Sequence, residues 1–202
     1  MCTAYEIGLR GGSFPSFIKA KALADMLGQG EPRIIRPTLV APVVLPDGSV
    51  EPMSWGFRRT FGSGKARRRR TVVNSRNDKL ASPMWADSFE KRRCLIPALS
   101  FFEWTHRTGK AVPLRFTGRD MLWIAGLWED DRDWGPCFSM ITTEPTPEIS
   151  SVHDRMPAVL GPTLLQPYLS GETPAPGPSE VPLEFSPSGN FLKAPDAQQD
   201  LF

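Results

Sequence analysis

Between Ile34 and Thr143 the chain breaks into short apolar runs separated by proline and glycine: LVAPVVL, MSWGF, TVVNSR, CLIPALSFFEW, VPLRF, MLWIAGLWE and CFSMITT. Runs of this length, rich in Val, Ile, Phe and Trp and bounded by turn residues, read as strands. With 21 prolines and 17 glycines, the chain has too many breakers for a bundle of long helices. Two helical patterns flank the strands. In SFIKAKALADMLGQG the stripe Phe17, Ala20, Leu23, Ala24 and Leu27 predicts a helix packed on a sheet, and PTLLQPYLSG predicts a short late one. The expected fold class is therefore α+β. TGRD, between VPLRF and MLWIAGLWE, reads as a hairpin connection.

The 202 residues, 40% of them hydrophobic, suit one domain with a proper core. After Gly171 the sequence turns to TPAPGPSEVPLEFSPSGN, so residues 1–171 are expected to form the domain and 172–202 a proline-rich extended segment and tail. Three unpaired cysteines, Cys2, Cys94 and Cys137, point to a reducing, cytoplasmic setting. With only two histidines there is no metal-ligand spacing, and no cofactor is expected. The reading includes neither a signal peptide nor a membrane span, and nothing in it calls for more than a monomer.

Five features can carry chemistry. The first is the start, MCTAYEIG, because removal of Met1 would leave Cys2 with an α-amine and a thiol on one residue. Such an aminothiol captures aldehydes: the amine forms an imine and the thiol closes a five-membered thiazolidine ring. The second is RRTFGSGKARRRR, Arg58 to Arg70, which has no acidic residue and reads either as a solvated face or as a phosphate-attracting one. Trp55, beside a glycine and shortly before these arginines, is a candidate surface platform for stacking a base. In the third, TVVNSRND, alternation puts Asn74 and Arg76 on one strand face, either a wet edge or an amide beside a phosphate-binding arginine. The fourth is Glu103 within LIPALSFFEWT, a carboxylate in an apolar strand, which either pairs with an arginine at the strand end or transfers protons with a raised pKa. The last is His153, next to Asp154 and Arg155 in SSVHDRMPAVL, either polar surface or an acid-base group; His106, in the turn THRTGK, is given no role.

A Cys2 start, a WG strand, N-x-R, F-x-E-W, and TT followed by H-D-R-M-P together resemble the SOS-response-associated peptidase (SRAP) family, whose members shield abasic sites in single-stranded DNA. The resemblance runs from Met1 to about Gly171. It implies a barrel-like mixed β core with flanking short helices and a covalent role for Cys2 in a thiazolidine DNA-protein crosslink. It further implies that Asn74 positions the amino terminus and the opened sugar, that Glu103 moves protons during imine formation, and that His153 assists ring opening and reversal. Arg76 and Arg155 would hold phosphates, while Trp55, Pro37 and Thr142 would line the DNA path. The family is also credited with removing its own Met1. The chain departs from the family pattern at MCTA in place of MCGR, at NSRND in place of N-A-R-x-E, at Pro145 and Thr146 after the threonine pair, and at IIRPTLVAP. An N-terminal-nucleophile hydrolase or amidotransferase and a noncovalent single-strand binder are the competing readings. Finally, QQDLF resembles the peptide by which bacterial repair proteins dock on the sliding clamp, with Gln198, Asp200, Leu201 and Phe202 as its contacts.

Overall fold

The computed structural model describes residues 2–11, 13–105 and 111–189. In chain order the strands are β1 (Ala4–Ile7), β2 (Arg33–Ile35), β3 (Val40–Val44), β4 (Val50–Trp55), β5 (Phe57–Phe61), β6 (Arg68–Val72), β7 (Asn74–Arg76), β8 (Arg93–Thr105), β9 (Val112–Asp131), β10 (Gly135–Thr143), β11 (Met156–Pro157) and β12 (Glu184–Pro187). Short helices α1 (Ala20–Leu27), α2 (Ala86–Lys91), α3 (Pro147–Ser150) and α4 (Leu165–Leu169) lie between them.

Five strands close on themselves. β3 pairs with β4, β4 with β10, β10 with β9, β9 with β8, and β8 returns to β3. The β4–β10 pairing is parallel and the others are antiparallel, so this is a mixed barrel with flanking helices, an α+β fold. Closure removes the open edges that a sheet of such apolar strands would expose. Val43, Val44, Trp55, Ile96, Ala125, Leu127, Phe138 and Met140 are all buried, and their burial supplies the main stabilisation.

Two strand edges are shared, and this builds the functional region. On one edge of β8, β3 pairs only at Leu95, after which β1 takes over opposite Ser100–Phe102. Similarly, β4 meets β10 at Cys137 and Phe138, and β7 follows at Met140 to Thr142. Between these two stretches the chain leaves the barrel as a separate β5–β6 hairpin. The root of that hairpin is pinched shut: Gly56 donates to Phe138 O at 2.7 Å and Met140 donates to Val73 O at 2.9 Å. Gly56 has φ +123°, and a Cβ there would lie 2.2 Å from Thr71 Cγ2, so only glycine fits the pinch.

Several expectations need correction. TGRD is not a chain reversal; β9 runs through it as one strand of 20 residues. β8 pairs with both halves of β9, and the register steps from Ala98 opposite Leu122 to Ser100 opposite Thr117. The intervening residues form a bulge, and Arg10 Nη1 donates to its Gly118 carbonyl at 2.8 Å. TVVNSR is likewise two strands, split at Val73 where the hairpin rejoins the barrel. The first helix begins at Ala20, buries Leu23 and Leu27, and packs on β3 and β4, whereas Phe17 precedes it. PTLLQPYLSG forms a 3₁₀ turn, Pro162–Leu164, followed by α4. Within the proline-rich segment, β12 pairs with β9 from Thr117 to Leu114. The QQDLF stretch and His106 lie outside the described residues. No helix among the described residues is long and apolar enough to cross a membrane.

Candidate active site

Cys2 is fully buried and its thiol donates to Ala4 O at 3.3 Å. β1 fixes its position, since Ala4 pairs with Phe102 on β8, and the same register carried two residues back leads toward Glu103 and Trp104. Burial pushes the Cys2 thiol far above its ordinary range, and the nearby Glu103 carboxylate adds to the shift. A thiol in that environment stays protonated until a neighbouring group accepts its proton.

Asn74 opens β7, the strand that re-enters the barrel edge beside β10, and its Nδ2 donates to Cys2 O at 2.8 Å. Its Oδ1 is buried and has no hydrogen-bond partner among the described residues. The amide therefore holds the first peptide unit with its nitrogen and keeps an acceptor free for a further donor.

Glu103 is 1% exposed near the end of β8. Burial raises its carboxyl from the ordinary 4.5 to about 7, with the negative charge of Asp154 contributing in the same direction. His153 Nε2 stands 3.8 Å from Glu103 Oε2. The other ring nitrogen, Nδ1, lies 3.0 Å from Asp154 Oδ1 and accepts the Arg155 backbone N–H at 3.0 Å. An imidazole between two carboxyl groups, beside a carboxyl that titrates near neutrality, is a proton-transfer arrangement. Cys2, Asn74, Glu103 and His153, far apart in sequence, thus converge where β1, β7 and β8 meet the loop after α3.

The other sequence candidates fare differently. Arg155 is buried and its guanidinium is committed internally: Nη1 to Glu144 Oε1 at 2.9 Å, and Nη2 to Asn77 Oδ1 at 2.7 Å and Thr142 O at 2.5 Å. It ties the His153 loop to the barrel through these bonds, while its Nε has no hydrogen-bond partner among the described residues. Hydrogen bonds from the Asn77 amide first, then from Glu144's own backbone N–H, and then from Thr143 and Arg155 hold the Glu144 carboxyl down to about 2. Arg76 is half exposed and grips Asp78 through Nε and Nη2, each at 2.9 Å. Thr142 is buried, and its Oγ1 has no hydrogen-bond partner among the described residues. Pro37 is half-buried beside Thr38, a β-branched residue held at φ +77° with its N–H on Trp55 O.

Trp55 is not a surface platform. It has no exposed area, packs edge-on against Tyr5 at 5.0 Å, and donates from Nε1 to Val73 O at 3.0 Å. Its ring lies between Tyr5 of β1 and Phe138 of β10. Sequence reading missed Asn77 and Glu144, whose roles depend on pairing with Arg155 across 78 and 11 residues and leave no local pattern.

These features define a closed mixed-barrel domain whose second residue is a cysteine set beside a buried amide, a buried carboxyl and a partly buried imidazole. Among the described residues no cluster of three or more His, Cys, Asp or Glu side chains is placed to hold a metal. The chain belongs to the SOS response associated peptidase (SRAP) family, whose profile matches residues 1–188. It is similar to the abasic site processing protein YMR114C of Saccharomyces cerevisiae, 32% identical over 137 residues that cover 63% of this chain and 36% of that protein. A similar likeness links it to the abasic site processing protein YoqW of Bacillus subtilis, 32% identical over 97 residues, 44% of this chain and 43% of that one. The matched stretches thus span less than half the length of these relatives. Among solved structures, a Bordetella bronchiseptica protein superposes with a TM-score of 0.68 at 21% identity, covering 93% of this chain and 100% of its own. A Bacteroides thetaiotaomicron protein gives 0.68 at 20% identity over 80% of each chain. Likeness at that identity speaks to the fold alone.

Proposed function

We propose that this protein processes abasic sites in single-stranded DNA by covalent capture on Cys2. The observation that supports this most directly is the contact of Asn74 with the Cys2 carbonyl beside the Glu103–His153 pair. Both curated relatives are named for abasic site processing, which fits the same substrate.

Hydrolysis of the Met1–Cys2 peptide bond comes first, because an acylated nitrogen cannot form an imine. The freed amine then adds to the aldehyde carbon of the ring-opened abasic sugar, giving a carbinolamine. Glu103, protonated on part of the molecules at neutral pH, protonates the departing hydroxyl, and water leaves as the imine forms. The Cys2 thiol adds to the imine carbon, its proton passes to the imine nitrogen through Glu103, and a thiazolidine closes. One water is released overall. Asn74 orients the Cys2 peptide unit and has Oδ1 as acceptor for the amine or for a sugar hydroxyl. His153 serves ring opening and the reverse reaction. Its substitution His153→Ala should alter mainly reversal, measured as loss of the purified adduct over time; an unchanged reversal rate would remove that role.

We further place the protein in the cytoplasm as a monomer that meets DNA at the nucleoid. Its QQDLF end, Gln198 to Phe202, would bring it to the sliding clamp through two terminal apolar anchors and a glutamine. Deleting those five residues should abolish clamp binding in a pull-down with purified clamp and leave adduct formation intact; equal binding by both forms excludes the idea. A glutamine amidotransferase would instead release ammonia from glutamine and form no DNA adduct.

A further inference from the structure

The β5–β6 hairpin is an arm for which the covalent chemistry at Cys2 gives no account. It leaves the barrel at Gly56, returns at Val73, immediately before Asn74, and each strand is five residues long, so it extends about 17 Å from the edge of the site. Three of its arginines are anchored to the rest of the domain. Arg59 makes a forked ion pair with Glu129 at 2.5 and 2.6 Å and lies 4.7 Å over the Phe57 ring. Arg69 pairs with Asp133 at 2.9 Å, and the Arg58 guanidinium sits 3.9 Å over Trp134.

Three other arginines have a different character. Arg67, Arg68 and Arg70 are exposed and have no ion-pair partner among the described residues. Register puts Arg70 opposite Arg59 and Arg68 opposite Phe61, so Arg68, Arg70 and Phe61 share one face. On that face the Phe61 ring is also open to solvent, 38% exposed, whereas Trp134 packs under Arg58 on the opposite face. Unpartnered guanidinium groups attract a phosphate backbone. An exposed ring next to them suits an unpaired base, whose faces a duplex keeps covered.

We propose that this arm binds the undamaged single strand flanking the lesion, with Arg67, Arg68 and Arg70 on phosphates and Phe61 stacking a base. This deepens the reading of an abasic-site protein and rests on it only for the lesion. The arm sets where along the strand the protein rests, while the Cys2 site does the chemistry.

The test uses the full chain and its Arg67→Gln/Arg68→Gln/Arg70→Gln variant, with undamaged oligothymidylates of about 5 and about 20 nucleotides, a range that brackets single-strand site sizes. On the long strand the variant should bind roughly tenfold more weakly, with a log-log salt slope shallower by about 2, three phosphate contacts at 0.7 each. Phe61→Ala should weaken long-strand binding without changing that slope. Adduct formation on a saturating short abasic strand should stay at the wild-type rate in both variants. Long-strand binding equal to wild type in the arginine variant would overturn the proposal, as would wild-type binding to blunt duplex as tight as to single strand. If wild type forms no abasic adduct but still binds the long strand through the arm, the covalent reading fails and the arm stands.

Discussion

Replacing Glu103 by glutamine should slow adduct formation by roughly 10²–10⁴-fold and, at the same time, make the folded protein harder to unfold above neutral pH. The kinetic loss follows from removing the group that delivers and collects protons around the imine. The gain in stability follows from the sign of its titration. Burial lifts the Glu103 carboxyl from 4.5 to about 7. Below pH 4.5 it is protonated in folded and unfolded chains alike and exerts no pH effect. Between 4.5 and 7 the unfolded chain ionises first, so stability falls as pH rises. Above 7 the folded chain carries the buried charge too, at a cost on the order of 3 kcal/mol at 1.4 kcal/mol per tenfold change. Glutamine cannot ionise, so the variant should lose this pH dependence and exceed wild type in denaturant midpoint at about pH 8 while matching it near pH 4. If Glu103 were instead a structural strut for His153, the variant would be less stable at pH 8.

Cys2→Ser should eliminate the adduct seen on a denaturing gel and restore it when borohydride is present during the reaction. Serine keeps the α-amine, so the imine still forms, but its hydroxyl is a far weaker nucleophile than a thiol and closes no durable ring. Hydride reduces the imine to a secondary amine, which survives denaturation. The pattern separates the two nucleophiles on one residue: the amine captures and the thiol locks. Failure of borohydride to rescue a variant from which Met1 has been removed would mean that the thiol, not the amine, makes the first bond.

Much of this site was legible because its residues break local rules. Glu103 stands out as a carboxylate in the apolar strand β8, and its burial and raised pKa follow from that setting. Cys2 is conspicuous by position alone. What escaped the sequence was decided by pairing over distance. Gly118 and Asp120 carry turn chemistry, yet β8 pairs on both sides of them, and the ladder turned a predicted reversal into a bulge. Trp55 reads as exposed because a glycine and arginines adjoin it. In the fold, Gly56 lets the backbone fold back so tightly that the indole is sealed against Tyr5 and Phe138. The same holds for Arg155, whose chain neighbours suggest an anion site while its partners Asn77 and Glu144 come from other strand ends.

The most direct measurement is intact mass of the product formed when the purified chain meets a single-stranded oligonucleotide bearing one abasic site, with an undamaged strand as control. Covalent capture by an N-terminal aminothiol predicts a lesion-dependent species whose mass is the chain without Met1 plus the oligonucleotide, less one water. A fully Met1-free protein that yields no such species, or yields it equally in Cys2→Ala, would contradict the account.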